Sequence, residues 1–264
     1  MRRLRAGICC LLMLLLTVKG EPEAGTEDSN EESTVYSAEQ QEPRQEGSLL
    51  KKIGEHGIPV EGGITELEYS ISGSDFYAHF IRKREPLVFR GVAKGWRAVK
   101  HWHDEGFMKS NYGHVLVDVE MGKVYKNELN PRETMNISHF IDIYKDKAVY
   151  LDSPFPQSEL INDLEVPFFM QCSELAPNFT SAHLLFSNGN TSSCFHQDGY
   201  ENLLTMISGI KVVVLVNYTY MEEVYADNID TFPGLSPISP EGVDFEKWPL
   251  FKDVPFHKVN SQQC

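Results

Sequence analysis

Five short strand-like runs are crowded into residues 149–216, with turn residues between them. They are Val149-Tyr150-Leu151, His183 to Phe186, Ser192 to His196, Asn202 to Ile207 and Lys211 to Val216. Asn188-Gly189-Asn190 and Ser208-Gly209 mark two of the turns. Closely spaced strands joined by tight turns predict an antiparallel barrel or double-sheet jelly roll, with any helices packed outside it. The preceding hundred or so residues supply those helices. Ser74 is expected to cap a helix running through Phe76, Phe80 and Ile81, stopped by Pro86. Leu87-Val88-Phe89 reads as a short strand ended by Gly91. A second helix is expected over 100–111, ended by Gly113 and followed by a strand at 114–120, and Ser138 opens a third through Phe140, Ile141 and Tyr144.

The chain has 264 residues, of which 41% are hydrophobic, enough for one core of ordinary size. With 38 acidic and 24 basic residues its formal net charge is −14. That balance argues against a nucleic-acid partner, which would need a basic stripe facing the phosphates. No apolar run approaches the roughly 20 residues of a membrane span.

The first twenty residues read as an address. Met1-Arg-Arg-Leu-Arg5 is a basic start, Ala6 to Val18 is apolar, and Val18-Lys19-Gly20 offers small residues for cleavage before Glu21. This layout predicts a cleaved secretory signal peptide over 1–20, rather than an uncleaved anchor or a buried first helix, leaving no membrane span in the mature chain. Four Asn-x-Ser/Thr sequons, at Asn136, Asn178, Asn190 and Asn217, point the same way, so the expected location is the endoplasmic reticulum lumen or outside the cell. Residues 21–47 carry nine carboxylates against Arg44 alone and almost no large apolar side chains. We read residues 21–50 as an acidic, disordered linker that cannot repay its ordering entropy. Outside the leader, Cys172, Cys194 and Cys264 allow at most one internal bridge, and no spacing suggests zinc.

The chemistry-bearing stretch is Cys194 to Lys211. In His196-Gln197-Asp198, an imidazole and a carboxylate stand two residues apart, so on an extended strand they share a face and can converge on one metal. Nitrogen plus hard oxygen suits Fe(II), Mn(II) or Zn(II), and a second His would complete the facial triad of non-heme Fe(II) oxygenases. His103-Asp104-Glu105 has a similar pattern but falls in an expected helix, where it reads as a solvated face. Lys211 opens the apolar run Val212 to Val216, so its ammonium must find solvent, a carboxylate or an anionic ligand. Ser193 adds a hydroxyl and Asn202 an amide, and together these groups could hold a 2-oxo acid between metal and ammonium. The bland alternative is a structural His196–Asp198 pair with Lys211 snorkelling from an edge strand. Trp102, Trp248 and Phe168-Phe169 read as core residues rather than stacking platforms.

His196-Gln-Asp-Gly-Tyr-Glu-Asn202, followed by Gly209-Ile-Lys211 and an apolar strand, resembles the JmjC or cupin-like Fe(II)/2-oxoglutarate oxygenases. Pro86-Leu-Val-Phe-Arg-Gly91 with Trp96, and Val149-Tyr150-Leu151-Asp152 after a helix, are similar to that family's earlier elements. The resemblance covers about residues 60–260 and implies a cupin-like domain over 60–264, mainly β with flanking helices, built as a double-stranded β-helix. It also implies Fe(II) and 2-oxoglutarate with O2-driven hydroxylation. Under it, His196 and Asp198 match the first two iron ligands, Lys211 the lysine that pairs with the distal carboxylate of 2-oxoglutarate, and Ser193 a hydroxyl on the same cosubstrate. Asn202 matches an active-site amide, and Tyr150 is similar to a tyrosine that reaches that carboxylate.

The family's second iron-binding His, in a Gly-Asp, Pro and Trp-x-His context, has no counterpart in the 66 residues after Asp198 (264 − 198). The expectation is a shortened product whose C-terminal strands are missing, with His257 as a less favoured substitute ligand. Two functions follow: a secretory-pathway dioxygenase acting on a protein side chain or a small molecule, or a non-catalytic cupin-like binding module lacking its final ligand. Histone demethylation, often linked with the family, fits poorly with a leader and sequons.

Overall fold

The structure is a computed structural model that describes residues 11–18, 52–55, 58–60, 63–68, 71–122, 130–155, 159–189, 191–198, 201–226 and 234–262. The expected acidic linker at 21–50, the basic start of the leader, Asn190 and Cys264 lie outside the described residues. In chain order the strands and helices are β1 (Leu11–Val18), β2 (Ile58–Pro59), β3 (Thr65–Leu67), α1 (Gly73–Phe76), β4 (Leu87–Phe89), α2 (Arg97–His101), α3 (Glu105–Tyr112), β5 (Leu116–Glu120) and β6 (Arg132–Asn136). They continue with α4 (Ile137–Ile143), β7 (Tyr150–Pro154), β8 (Phe179–Ser187), β9 (Glu201–Ser208), β10 (Ile210–Leu215) and β11 (Pro255–Gln262). A six-stranded sheet runs in the order β6-β5-β7-β8-β1-β9, and a three-stranded sheet runs β10-β11-β2. The long pairings are antiparallel, as close spacing requires, and the helices sit outside, so the mainly-β architecture with flanking helices is the observed one.

Local sequence explains the helix starts, with several shifted by a residue or two from expectation. The first helix is capped by Ser72 rather than Ser74: Ser72 Oγ accepts from the Asp75 amide at 3.1 Å, and α1 passes into a π-turn at Tyr77–Ile81. The single helix expected over 100–111 is two. Asp104 ends the interval between them and caps α3, its carboxylate accepting from the Gly106 and Phe107 amides at 2.8 and 3.2 Å. His103-Asp104-Glu105 is therefore a helix junction and not a helix face. Asn136, not Ser138, caps α4 by accepting from the His139 amide at 2.7 Å.

Leu11–Val18, the apolar part of the expected leader, is a strand in this structure. It pairs antiparallel with β8 on one side and β9 on the other, Met13 lying opposite both Leu185 and Met206. The physical reason is a backbone one: β8 and β9 each present a row of ladder groups to the same interval, and an extended segment satisfies both.

Strand alternation gives the six-stranded sheet two different faces. One face, with Val117, Val119, Leu151, Leu184 and Phe186, packs with the helices around Trp96, Trp102, Phe140 and Tyr144. Inside this core the buried Asp163 carboxylate accepts from Trp102 Nε1 at 2.8 Å and Tyr112 Oη at 2.6 Å and pairs with Arg97 at 3.0 Å. Burial and the Asp163 carboxylate push the Tyr112 hydroxyl up to about 12. Trp102 is a core residue as expected, and so is Phe169, but its neighbour Phe168 is 71% exposed because consecutive residues of a 3₁₀ turn face apart. Trp248 is half-buried against Tyr225 beside a second, smaller core of Val224, Ile238, Val243, Phe251 and Val254. The opposite face of the large sheet is mixed: Asp118, Glu120, Asp152 and His183 lie there with Tyr150, Leu185, Leu204 and Met206.

Candidate functional site

The segment Ser192 to His196, expected as a strand, belongs to no ladder; His196 makes an isolated bridge to Leu235, and the Gln197 amide donates to the Gly234 carbonyl at 2.8 Å. These contacts hold the loop extended, and His196 and Asp198 fall on one side of it. His196 Nε2 lies 3.9 Å from Asp198 Oδ2, and both side chains are exposed. Nδ1 of His196 lies 2.9 Å from the Cys194 carbonyl oxygen. A carbonyl can only accept, so Nδ1 donates and Nε2 is the ring nitrogen on the Asp198 side. A carbonyl behind the imidazole is the usual support for a metal-binding histidine. Asn202 Nδ2 donates to Asp198 Oδ2 at 2.6 Å, so this amide orients the carboxylate. His196 and Asp198 thus fit two protein positions of an Fe(II) centre, while Cys194 behind them is buried, its thiol pushed up to about 11 by burial.

Asn202 starts a row on β9 that continues inward through Leu204 and Met206. These pack against Leu185 of β8 and Tyr150 of β7. Tyr150 and Asp152 share this inner face, and Asp152 lies opposite Leu185, with His183 two residues away on the same side of β8. Glu120 of β5 lies opposite both Tyr150 and Arg132. Arg132 bridges the carboxylates, 3.1 Å from Glu120 Oε1 and 2.9 Å from Asp152 Oδ2. His183 Nδ1 lies 3.4 Å from Asp152 Oδ1.

Lys211 lies on β10 of the other sheet, opposite Ser261 of β11. Burial pulls its ammonium below the usual lysine range, and the Asp152 carboxylate opposes that effect. Burial pushes the Asp152 carboxyl up, but the His183 hydrogen bond and the Arg132 charge outweigh it and hold the group below the ordinary carboxylate range. The Tyr150 hydroxyl is pushed above the phenol range by burial, then by Asp152 and Glu120.

Of the residues singled out in sequence, His196, Asp198 and Asn202 form an exposed corner. Tyr150 lies on the inner face of the large sheet and Lys211 on β10 of the other sheet. Ser193 is exposed in the loop and makes no hydrogen bond to Lys211. His257 lies opposite Leu215 on β11, which places it on the Lys211 side of the β10–β11 pair, with a buried Nδ1 that has no hydrogen-bond partner. It does not complete the corner: among the described residues, no three His, Cys, Asp or Glu side chains are grouped to hold a metal ion. Arg132, Asp152 and His183 were given no role by sequence reasoning. The available signal was the spacing of Tyr150 and Asp152, which on a strand must share a face.

Among the described residues, no helix is long and apolar enough to cross a membrane. Asn136 and Asn217 are exposed helix caps, Asn217 accepting from the Thr219 amide and hydroxyl at 3.0 Å each. Cys172 and Cys194 are free thiols.

Comparison with known proteins agrees with this architecture. JmjC domain-containing protein F of Dictyostelium discoideum is 25% identical, over 74% of this chain and 53% of that protein. Lysine-specific demethylase 8 of Xenopus tropicalis is 26% identical, over 69% of this chain and 43% of its own length. The Danio rerio protein of the same name is 24% identical, over 69% and 47%. The chain spans about half the length of the curated relatives it matches. The cupin-like domain family matches residues 73–262, which include every strand and helix from α1 to β11. The protein therefore belongs to the cupin-like family of JmjC-type domains.

Proposed function

We propose that this chain is an Fe(II)- and 2-oxoglutarate-dependent dioxygenase of the secretory pathway that hydroxylates a protein side chain or a small molecule. The observation that carries the reading is the His196–Asp198 corner, whose imidazole Nε2 and carboxylate oxygen lie 3.9 Å apart with Nδ1 turned to the Cys194 carbonyl. His196 and Asp198 would hold the iron, and Asn202 would orient the carboxylate. Iron, when bound, supplies O2 activation coupled to decarboxylation of 2-oxoglutarate. Lys211 would bind the distal carboxylate of the cosubstrate through its ammonium, while Tyr150 and Ser193 would steady the same molecule. The leader layout and the four sequons support a luminal or extracellular setting, and the exposure of Asn136 and Asn217 fits glycan attachment. The names of the Xenopus and Danio relatives carry lysine demethylation; that activity is not assigned to this chain, because a secretory location separates it from chromatin.

A second reading, a non-catalytic cupin-like binding module, draws on the two-donor character of the corner among the described residues. Anaerobic addition of Fe(II) and then 2-oxoglutarate separates the two. The oxygenase reading expects a visible metal-to-ligand charge-transfer band, lost in His196→Ala and requiring roughly ten to a hundred times more 2-oxoglutarate in Lys211→Ala. A folded wild-type chain that develops no such band contradicts it.

A further inference from the structure

A groove of about 430 Å³, whose lining includes neither His196 nor Asp198, opens beside the helix-packed core. That volume is within the range of ligand pockets, roughly 300–1,000 Å³. Buried Trp96 of the main core lines it, and so does Gly91, where an added Cβ would meet nothing within 4 Å. Across from them stand Val166 and Phe168, 50% and 71% exposed, on either side of the buried Pro167. The turn behind them is rigid: the Met170 amide donates to the Pro167 carbonyl at 2.9 Å, and the Gln171 side-chain amide donates to the Val166 carbonyl at 2.7 Å. Large apolar side chains held toward water on a fixed turn mark an interaction surface, because little further freedom is lost when a partner covers them.

Charge says what covers them. Glu68, Glu165 and Arg90 are the charged residues of the lining. Arg90 is committed within the fold, donating to the two Glu66 oxygens at 2.8 and 2.9 Å and to the Asn260 carbonyl at 3.3 Å. Among the described residues, neither Glu68 nor Glu165 has a hydrogen-bond or ion-pair partner. The charge left to an incoming group is therefore negative. We propose that this groove docks an extended segment of another protein in which large apolar side chains are flanked by Lys or Arg. The apolar side chains cover Val166 and Phe168, and the cations meet the two carboxylates and the face of the Phe168 ring. The chain's own stretch at 21–47, nine carboxylates against Arg44 alone, has the wrong sign for this seat, and two copies joined through it would oppose like charges. Docking here needs neither iron nor 2-oxoglutarate.

The test is fluorescence anisotropy of the full chain with labelled peptides: basic Gly-Lys-Leu-Arg-Leu-Lys-Gly, neutral Gly-Ser-Leu-Asn-Leu-Ser-Gly and acidic Gly-Glu-Leu-Asp-Leu-Glu-Gly. The basic peptide is expected to bind about tenfold more tightly than the neutral one, and the acidic one least. Phe168→Ser and Glu165→Lys each weaken the basic peptide about tenfold. Both side chains are exposed, so the variants keep the fold, which their unfolding curves verify. Glu246→Lys, at an exposed position outside the groove, changes the net charge as much as Glu165→Lys and leaves binding within about twofold. A basic peptide bound no more tightly than the neutral one, undiminished binding in Phe168→Ser, or equal losses in Glu165→Lys and Glu246→Lys overturns the assignment. So does a wild-type dimer in sedimentation that Phe168→Ser separates, since the occupant is then a second copy.

Discussion

At His196 a single hydrogen bond decides which nitrogen is available. With Nδ1 turned to the Cys194 carbonyl, Nε2 is the nitrogen left on the Asp198 side, and Asn202 holds that carboxylate in turn. Strand alternation predicted the convergence of His196 and Asp198, yet the segment is not in a ladder. An extended loop bridged to Leu235 achieves the same geometry, because the alternation belongs to extended backbone and not to sheet pairing. Lys211 was legible because an ammionium-bearing side chain in an apolar strand has few tolerable surroundings. Asp163 was not legible: its partners Arg97, Trp102 and Tyr112 come from 51 to 61 residues away for the two aromatic donors, a separation no local pattern encodes. Replacing Asp163 by Ala strands a buried indole N–H and a buried phenol, and should cost about 3 kcal/mol in denaturant unfolding. A loss under about 1 kcal/mol would mean those donors find other partners. For Lys211 the pH sign is set by a lowered native pKa. The native state releases the proton first, so the cost of burying the charge is relieved as pH rises through the native value toward the unfolded one, while anion binding weakens over that interval.

Strands β8, β9 and β10 match the sequence expectation to within a few residues, since tight turns at Ser208-Gly209 and near Gly189 punctuate them. Helix starts were less legible. Ser72, Asp104 and Asn136 compete with neighbouring polar residues for the cap, and the winner is fixed by where the apolar face must point. Leu11–Val18 has two readings that exclude each other in one molecule: a leader removed before Glu21, or the strand between β8 and β9. The secretory reading predicts an intact mass that begins at Glu21 for protein made in a secreting cell. Retention of residues 11–18 in the folded product would contradict that reading and establish β1 as part of the domain. A chain made without residues 1–20 should then melt at a lower temperature than the full chain, since two strand edges lose their shared partner.

At the level of the whole molecule, the proposed luminal setting has consequences for charge and for the four sequons. Removing four basic leader residues from a net charge of −14 leaves about −18. Endoglycosidase treatment of protein from a secreting cell should increase its gel mobility, and Asn136→Gln with Asn217→Gln should remove part of that shift; no shift would contradict a luminal history. The jelly-roll class was readable from strand spacing, whereas the polar lining was not, because it depends on which strands become neighbours: Arg132 and His183 reach Asp152 from 20 and 31 residues away. As proposed above, this polar lining and the His196–Asp198 corner act together on 2-oxoglutarate. Release of succinate from 2-oxoglutarate with Fe(II) and ascorbate tests it without a known substrate. Slow turnover by the wild-type chain, abolished in His196→Ala, is the expected result; soluble, folded wild-type protein that releases no succinate, or a His196→Ala variant that releases as much, would contradict the joint role.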